Sequence, residues 1–242
     1  MNLYIVTGAS RGLGLGLARI LAAEPDTRLV AISRAGLPPD VRAWRDIRAD
    51  LGANAGQDLA AEAVRAALSA EPWRRAALIN NAGMLEPLGV AGQVDAAVVQ
   101  QSVGVNLTAA IVLMNAFLVG ARDVPACSVV NISSGSGRRP IAGSGVYCAA
   151  KAGLDMVSRV AALEVEAAGR AVTICSLAPG IIDTDMQVVA RGATAAELPD
   201  VARFREFKSE GLLKSAAAVA RKIIELERAG KLPAGIADLR EL

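Results

Sequence analysis

Short runs of aliphatic and β-branched residues alternate along the chain with longer segments rich in Ala and Leu. Residues 3–6, 28–32, 76–79, 128–132 and 172–177 read as strands, and residues 14–23, 59–70, 96–119 and 147–167 as helices. The strand runs are apolar almost throughout rather than alternating, so both of their faces must be covered. Strands of that kind separated by helices predict a parallel sheet with helices on both faces, a doubly wound α/β fold. No internal repeat or low-complexity linker breaks the rhythm, and Pro38-Pro39 and residues 135–145 read as loops, so residues 1–242 are expected to form a single domain. The stretch at about 180–211 departs from the pattern, mixing short helical pieces with Gly192, Pro199 and isolated charges. An insertion at a strand end is placed to act as a substrate lid.

The first strand runs directly into Thr7-Gly8-Ala9-Ser10-Arg11-Gly12-Leu13-Gly14, and a helix follows at once. Glycines at 8, 12 and 14 permit a tight turn and a close approach of backbone to ligand, and the amides of the helix start are free to bind a pyrophosphate. A Gly-rich turn without a ligand is the alternative; the strand before and the helix after favour a dinucleotide site. In an NAD site an acid after the second strand would hold the ribose 2′-hydroxyl. Here that strand ends in Ile32-Ser33-Arg34, with no carboxylate before Asp40. Arg34 and Arg11 suit a 2′-phosphate instead, so NADP(H) is favoured over NAD(H), unless both are solvated surface groups.

Composition narrows the chemistry. The chain has 242 residues, 53% of them hydrophobic, enough for a sizeable core. Its net charge of +2 comes from 26 basic and 24 acidic residues without a long cationic tract, so neither nucleic acid nor an anionic membrane is an expected partner. The start lacks the basic and apolar segments of a signal peptide, and no apolar run reads as long enough to cross a bilayer. Cys127, Cys148 and Cys175 are odd in number and far apart, which fits a reducing compartment; the cytoplasm is the expected location. Histidine is absent, which excludes a Ser-His-Asp hydrolase and a His-based metal site. Asp183 and Asp185 lack companion ligands, so no metal is expected.

Tyr147-Cys148-Ala149-Ala150-Lys151 supplies the remaining candidates. Residues four apart share a helical face, which sets the Lys151 ammonium beside the Tyr147 phenol. A phenol titrates near pH ~10 in water, and a neighbouring cation stabilises its phenolate, so Tyr147 can serve as a proton donor to a carbonyl oxygen.

Taken with the glycine loop, this motif resembles the short-chain dehydrogenase/reductase family, whose Rossmann fold is doubly wound. The resemblance runs along the whole chain: Asn80-Asn81-Ala82-Gly83 after a strand, Asn106 within Val105-Asn106-Leu107, Ser133-Ser134 after the next strand, and Pro179-Gly180 after the one following. It implies that Tyr147, Lys151, Ser134 and Asn106 are catalytic, with Lys151 on the nicotinamide ribose, Ser134 on the substrate carbonyl and Asn106 holding a water in a proton relay. It further implies that Asn81, Asp50 and Leu51 line the cofactor channel, and that Ile182 and Thr184 meet the carboxamide. A homodimer or homotetramer formed through the two long helices is implied as well.

Residues 179–187, 203–208 and 236–239 are similar to the branch of that family holding sepiapterin reductases and bacterial benzil reductases. There, a C-terminal aspartate anchors the pterin, and Asp238 stands at the matching place; a solvated terminal acid is the alternative. Leu198, Phe204, Phe207, Leu212 and Leu213 offer an apolar wall in the lid, or core packing. The resemblance thus implies a small-molecule carbonyl substrate, a vicinal dicarbonyl or a pterin side-chain ketone. A 3-oxoacyl thioester reductase, an alcohol dehydrogenase and a non-catalytic NADP-sensing protein stay open.

Overall fold

The computed structural model describes all residues from Met1 to Leu242. Seven strands form one parallel sheet: β1 (Asn2–Thr7), β2 (Thr27–Ser33), β3 (Arg45–Arg48), β4 (Arg75–Asn80), β5 (Cys127–Ile132), β6 (Val172–Ala178) and β7 (Gly235–Asp238), in the order β3-β2-β1-β4-β5-β6-β7. The central strands are buried along nearly their whole length. Their continuous apolar runs are therefore what a sheet covered on both faces demands.

Helices α1 (Gly12–Ala22) and α8 (Ala216–Arg228) cover one face, where Leu17, Leu21, Val219, Ile223 and Ile224 meet Tyr4, Val6 and Ile79. On the other face α2 (Asn54–Leu68), α4 (Ala109–Gly120) and α5 (Gly145–Ala167) bring Val64, Leu113, Phe117 and Val165 onto Leu3, Ile5, Leu78 and Val129. Helix α3 (Ala96–Val103) continues into α4 through one π-helical turn, Gly104–Thr108. The expectation that no apolar run could reach across a bilayer needs amending. By length and composition alone the 25 residues Ala96–Gly120 qualify, yet Ala109, Leu113, Met114 and Phe117 are packed into the protein core.

Two short helices, α6 (Asp185–Gly192) and α7 (Val201–Ser209), occupy the segment after β6. They build a third, smaller apolar cluster in which Ala190, Leu198 and Val201 pack with Leu85 and Tyr147. Within the segment Lys208 Nζ donates to Asp183 at 2.7 Å, and a parallel bridge between Ile182 and Lys214 joins its two ends.

Candidate active site

Parallel strands end together, and at the C-terminal ends of β1 and β4 the chain leaves the sheet in opposite directions, opening a crevice between them. The glycine loop after β1 forms one wall. Gly8 has φ +67°, and a Cβ placed on Gly14 would stand 2.2 Å from the Gly8 carbonyl oxygen, so α1 can reach the loop only because residue 14 lacks a side chain. Thr7 Oγ1 accepts from the amides of Asn81 and Ala82 at 2.9 and 3.0 Å, while Asn81 Nδ2 donates to the Thr7 carbonyl at 2.9 Å, locking the loops after β1 and β4 together. No side chain caps α1 and its first turn holds no acid, so its N-terminal amides face the crevice with their positive dipole unopposed.

Arg34 follows β2 at the crevice rim beside Ser33. Asp50 turns its carboxylate onto its own loop, where Oδ1 accepts from the Gly52 amide at 3.0 Å, and Leu51 forms part of the wall. Arg11 pairs with Asp185 of α6 at 3.3 Å; both side chains are about two-thirds exposed, a contact that water and a competing anion readily replace.

The other wall comes from β5 and α5. Ser134 leaves β5 in extended conformation, and its Oγ accepts from the Ser136 amide at 3.1 Å, opening a short 3-10 turn, Gly135–Gly137. Tyr147 lies in the first turn of α5 and is 7% exposed. Burial pushes its phenol up to about 12, with the Ser134 hydroxyl pulling the other way. One helical turn on, Lys151 donates to the Ile132 carbonyl at 2.8 Å and sits 5.6 Å from the centre of the Tyr147 ring. Burial draws this ammonium down to about 8, and Asp155 opposes that shift.

These groups share one cavity of about 540 Å³, closed on the far side by Leu85, Ile141, Met186, Leu198 and Phe204. Gly8, Ser10, Arg11, Gly12, Leu13, Arg34, Asp50, Leu51, Asn81, Ser134, Tyr147, Lys151, Ile182 and Thr184 all line it. Three expected residues do not. Gly14 stands behind the loop it admits. Asn106 sits in the π turn, 1% exposed, with its side chain engaged by the main chain of Met84 and by Ser102; its neighbour Val105 forms the wall. Asp238, at the end of β7, is neither frayed nor solvated: it is buried and forked onto Arg240 at 2.9 and 2.5 Å, which holds its carboxyl down at about 2. In the wall proposed for the lid, Phe204 faces the cavity, Phe207 stacks edge-on behind it with ring centres 6.0 Å apart, and Leu212 is exposed.

The family model for short chain dehydrogenases matches residues 2–194. The chain belongs to the short-chain dehydrogenase family. Within it, a benzil reductase ((S)-benzoin forming) of Bacillus subtilis (strain 168) is 32% identical over 242 residues, covering 100% of this chain and 99% of that one. A sepiapterin reductase of Meriones unguiculatus is 37% identical over 241 residues, covering 92% and 89%. Among solved structures, that of the KRED1-Pglu enzyme superposes with a TM-score of 0.81 at 26% identity, covering 98% of this chain and 100% of its own. As a short-chain dehydrogenase/reductase this protein is an oxidoreductase acting on CH–OH and C=O groups of small molecules, with NAD(P) as its hydride carrier.

Two charged residues at the site escaped the sequence reading. Buried Asp155 and the partly exposed Arg138 form an ion pair behind Lys151 and the Ser134 turn. The signal available was spacing: Tyr147, Lys151 and Asp155 recur at four-residue intervals, and a carboxylate on the buried face of a helix requires a partner.

Proposed function

We propose that this protein is an NADPH-dependent carbonyl reductase whose substrate is a vicinal dicarbonyl or a ketone on a pterin side chain. The observation that carries the reading is the convergence of a phenol, an ammonium and a hydroxyl, Tyr147, Lys151 and Ser134, on the cavity that the glycine loop opens. The loop fits the nucleotide: the N-terminal amides of α1 have no capping side chain, Gly8 and Gly12 line the cavity without side chains, and Gly14 lets α1 pack against the loop from behind. Arg34 and Arg11 on the rim, with Ser33 where an acid would select NAD, favour a 2′-phosphate. When bound, the nicotinamide supplies the hydride.

The residues do the rest. Ser134 Oγ donates a hydrogen bond to the carbonyl oxygen and holds it next to the Tyr147 hydroxyl. Burial keeps the phenol protonated at neutral pH, which is the form a proton donor needs as negative charge grows on that oxygen. Lys151 stabilises the phenolate left behind, and its bond to the Ile132 carbonyl keeps the ammonium beside the ring. Asn106 contributes by fixing the Met84 main chain against the π turn. The apolar far wall suits the aryl or alkyl flank of a dicarbonyl and excludes water from the developing alkoxide. Residues 180–211, hung over that wall, act as the lid.

The names of the relatives support both substrates. The forked Asp238–Arg240 pair favours the dicarbonyl, because a pterin anchor would first have to displace Arg240. The proposal includes a cytoplasmic location and a homo-oligomer, the latter supported by Met156, Val160 and Leu163 exposed in a stripe on α5. The test is loss of nicotinamide absorbance with NADPH or NADH against benzil, sepiapterin and an acetoacetyl thioester. Turnover of a dicarbonyl with NADPH, reduced by about 100-fold or more in Tyr147→Phe with nucleotide affinity kept, is the expected result. Tight NADPH binding without turnover of any of the three would count against it.

A further inference from the structure

The turn that carries Ser134 is fastened to α5 through Asp155, a carboxylate only 4% exposed. Asp155 Oδ1 accepts from Ser176 Oγ of β6 at 2.6 Å, and Oδ2 accepts from Arg138 Nε at 3.1 Å. Arg138 directly follows the 3-10 turn opened by Ser134, and its Nη2 donates to the Ala237 carbonyl of β7 at 3.0 Å. The turn lies hard against the helix: a Cβ on Gly137 would stand 2.8 Å from the carbonyl carbon of Lys151 and 2.9 Å from its oxygen. One arginine thus joins the Ser134 turn, the buried face of α5 and the last strand of the sheet, at the level of Lys151.

We propose that the Arg138–Asp155 ion pair is a positioning device that holds the Ser134 turn in register with Tyr147 and Lys151 and keeps a negative charge one helical turn behind the Lys151 ammonium. A buried carboxylate is expensive unless it is paired and hydrogen-bonded, and here its two partners tie it to the Ser134 turn and to the sheet. Facing Asp155 are Arg138 from the turn, Lys151 on its own helix, and the Cys175 thiol and Ser176 hydroxyl of β6; Asp238 of β7 faces Arg138. Burial favours the neutral amine of Lys151, and Asp155 opposes it. Without that charge, Lys151 gives up its proton at lower pH, and the alkaline limb of turnover moves down with it.

The kinetic consequence rests on the reductase reading; the titration of Lys151 does not, so the two can fail separately. The lysines of the chain are Lys151, Lys208, Lys214, Lys222 and Lys231, few enough to follow one by one. Full-length protein with isotope-labelled lysine side chains is titrated by NMR as wild type and as Asp155→Asn, with Lys151→Met to assign the signal. The midpoint of Lys151 is expected to fall by about one unit in Asp155→Asn. With the carbonyl substrate, kcat is expected to drop about tenfold to a hundredfold in Asp155→Asn and Arg138→Gln, with the NADPH dissociation constant unchanged. Arg138→Lys, which keeps the charge, recovers part of the loss. Arg138 is the second handle should Asp155→Asn not fold, since its side chain is 29% exposed. An unmoved Lys151 midpoint in folded Asp155→Asn, or wild-type kcat and pH profile in Arg138→Gln, overturns the proposal. Absence of wild-type turnover on every carbonyl counts against the reductase reading and leaves the titration to decide this one.

Discussion

Replacing Glu227 by alanine should destabilise the fold by about 3–5 kcal/mol without touching the chemistry. Glu227 sits near the end of α8 with its side chain fully buried, and three strands donate to it: Tyr4 Oη of β1 at 2.6 Å, Ser128 Oγ of β5 at 2.8 Å and Arg75 Nη1 of β4 at 2.9 Å. Truncation removes the acceptor and leaves the buried hydroxyls of Tyr4 and Ser128 without it, while Arg75, 28% exposed, keeps solvent and the Glu227 main-chain carbonyl. The cost of breaking such a pair is larger than the net worth of forming it, because the abandoned donors stay desolvated. In a chain of this size each kcal/mol moves the melting temperature by about 2–4 °C, so a fall of roughly 6–20 °C is expected. Thermal unfolding followed by circular dichroism gives the shift, and turnover below the transition gives the control, since Glu227 is far from the cavity wall. Glu227→Gln keeps an acceptor and should fall between wild type and alanine. A melting temperature for Glu227→Ala within about 2 °C of wild type would refute the reasoning, since it would mean that Tyr4, Ser128 and Arg75 find other partners at no cost.

Two further outcomes concern the rim of the site and the C-terminus. Arg34→Ala should raise KM for NADPH by about tenfold to a hundredfold and leave that for NADH nearly unchanged, since a charge-assisted bond to phosphate is worth about 1.5–3 kcal/mol; steady-state kinetics with both nucleotides read it. Asp238 has a folded value of about 2 against 3.8 for the free group, so the stability it contributes is present above 3.8 and is lost as pH falls toward 2. Asp238→Asn should therefore be less stable than wild type at neutral pH and converge with it in acid, as followed by urea unfolding at a series of pH values.

The parts of the fold that were legible are those where burial alone writes the pattern. Strands β1, β2, β4, β5 and β6 lie within a few residues of the expected runs, because central strands are apolar on both faces, and α1 and α5 match likewise, while α2 begins at Asn54 rather than Leu59. Strand β3, with Arg45, Asp46, Ile47 and Arg48, is not among the expected strands: it is a sheet edge, half of it solvent-facing, and its charges hide its pairing. Strand β7 was read as a chain end, yet Leu239 donates back to Ala178 and Asp238 is locked by Arg240, so four residues suffice when β6 provides a template. Helix α8 is absent from the sequence-based expectation although Ser215 caps it and Val219, Ile223 and Ile224 face inward. The predicted helix over residues 96–119 is real but carries a π turn at Asn106, a local rewinding set by contacts with Met84 and Ser102 that no periodicity records. The site residues were legible as types at spacings; what was not legible is which side chains are already engaged within the protein, as those of Asn106 and Asp238 are.

The two ends of the sheet divide the work. At the C-terminal ends, Tyr147 and Lys151 are buried and shifted, the Thr7 hydroxyl is committed to main-chain amides, and glycines stand where side chains would fill the crevice. Those arrangements suit the proposed ligand, and Ser133 Oγ and Ser144 Oγ on the cavity wall are buried without a protein partner. Toward the opposite end, Glu227 satisfies three strands at once. The α1 and α8 layer that carries this clasp also supplies the N-terminal amides of the proposed nucleotide site. Stiffening that layer from below therefore fixes the phosphate cradle above it, while the α5 layer remains free to be set by the contacts of Asp155 and Arg138. Arg34 stands at the rim after β2 and Asp155 stands behind Lys151 outside the cavity lining, which is why substitutions at Arg34 and at Asp155 should separate into KM and kcat effects.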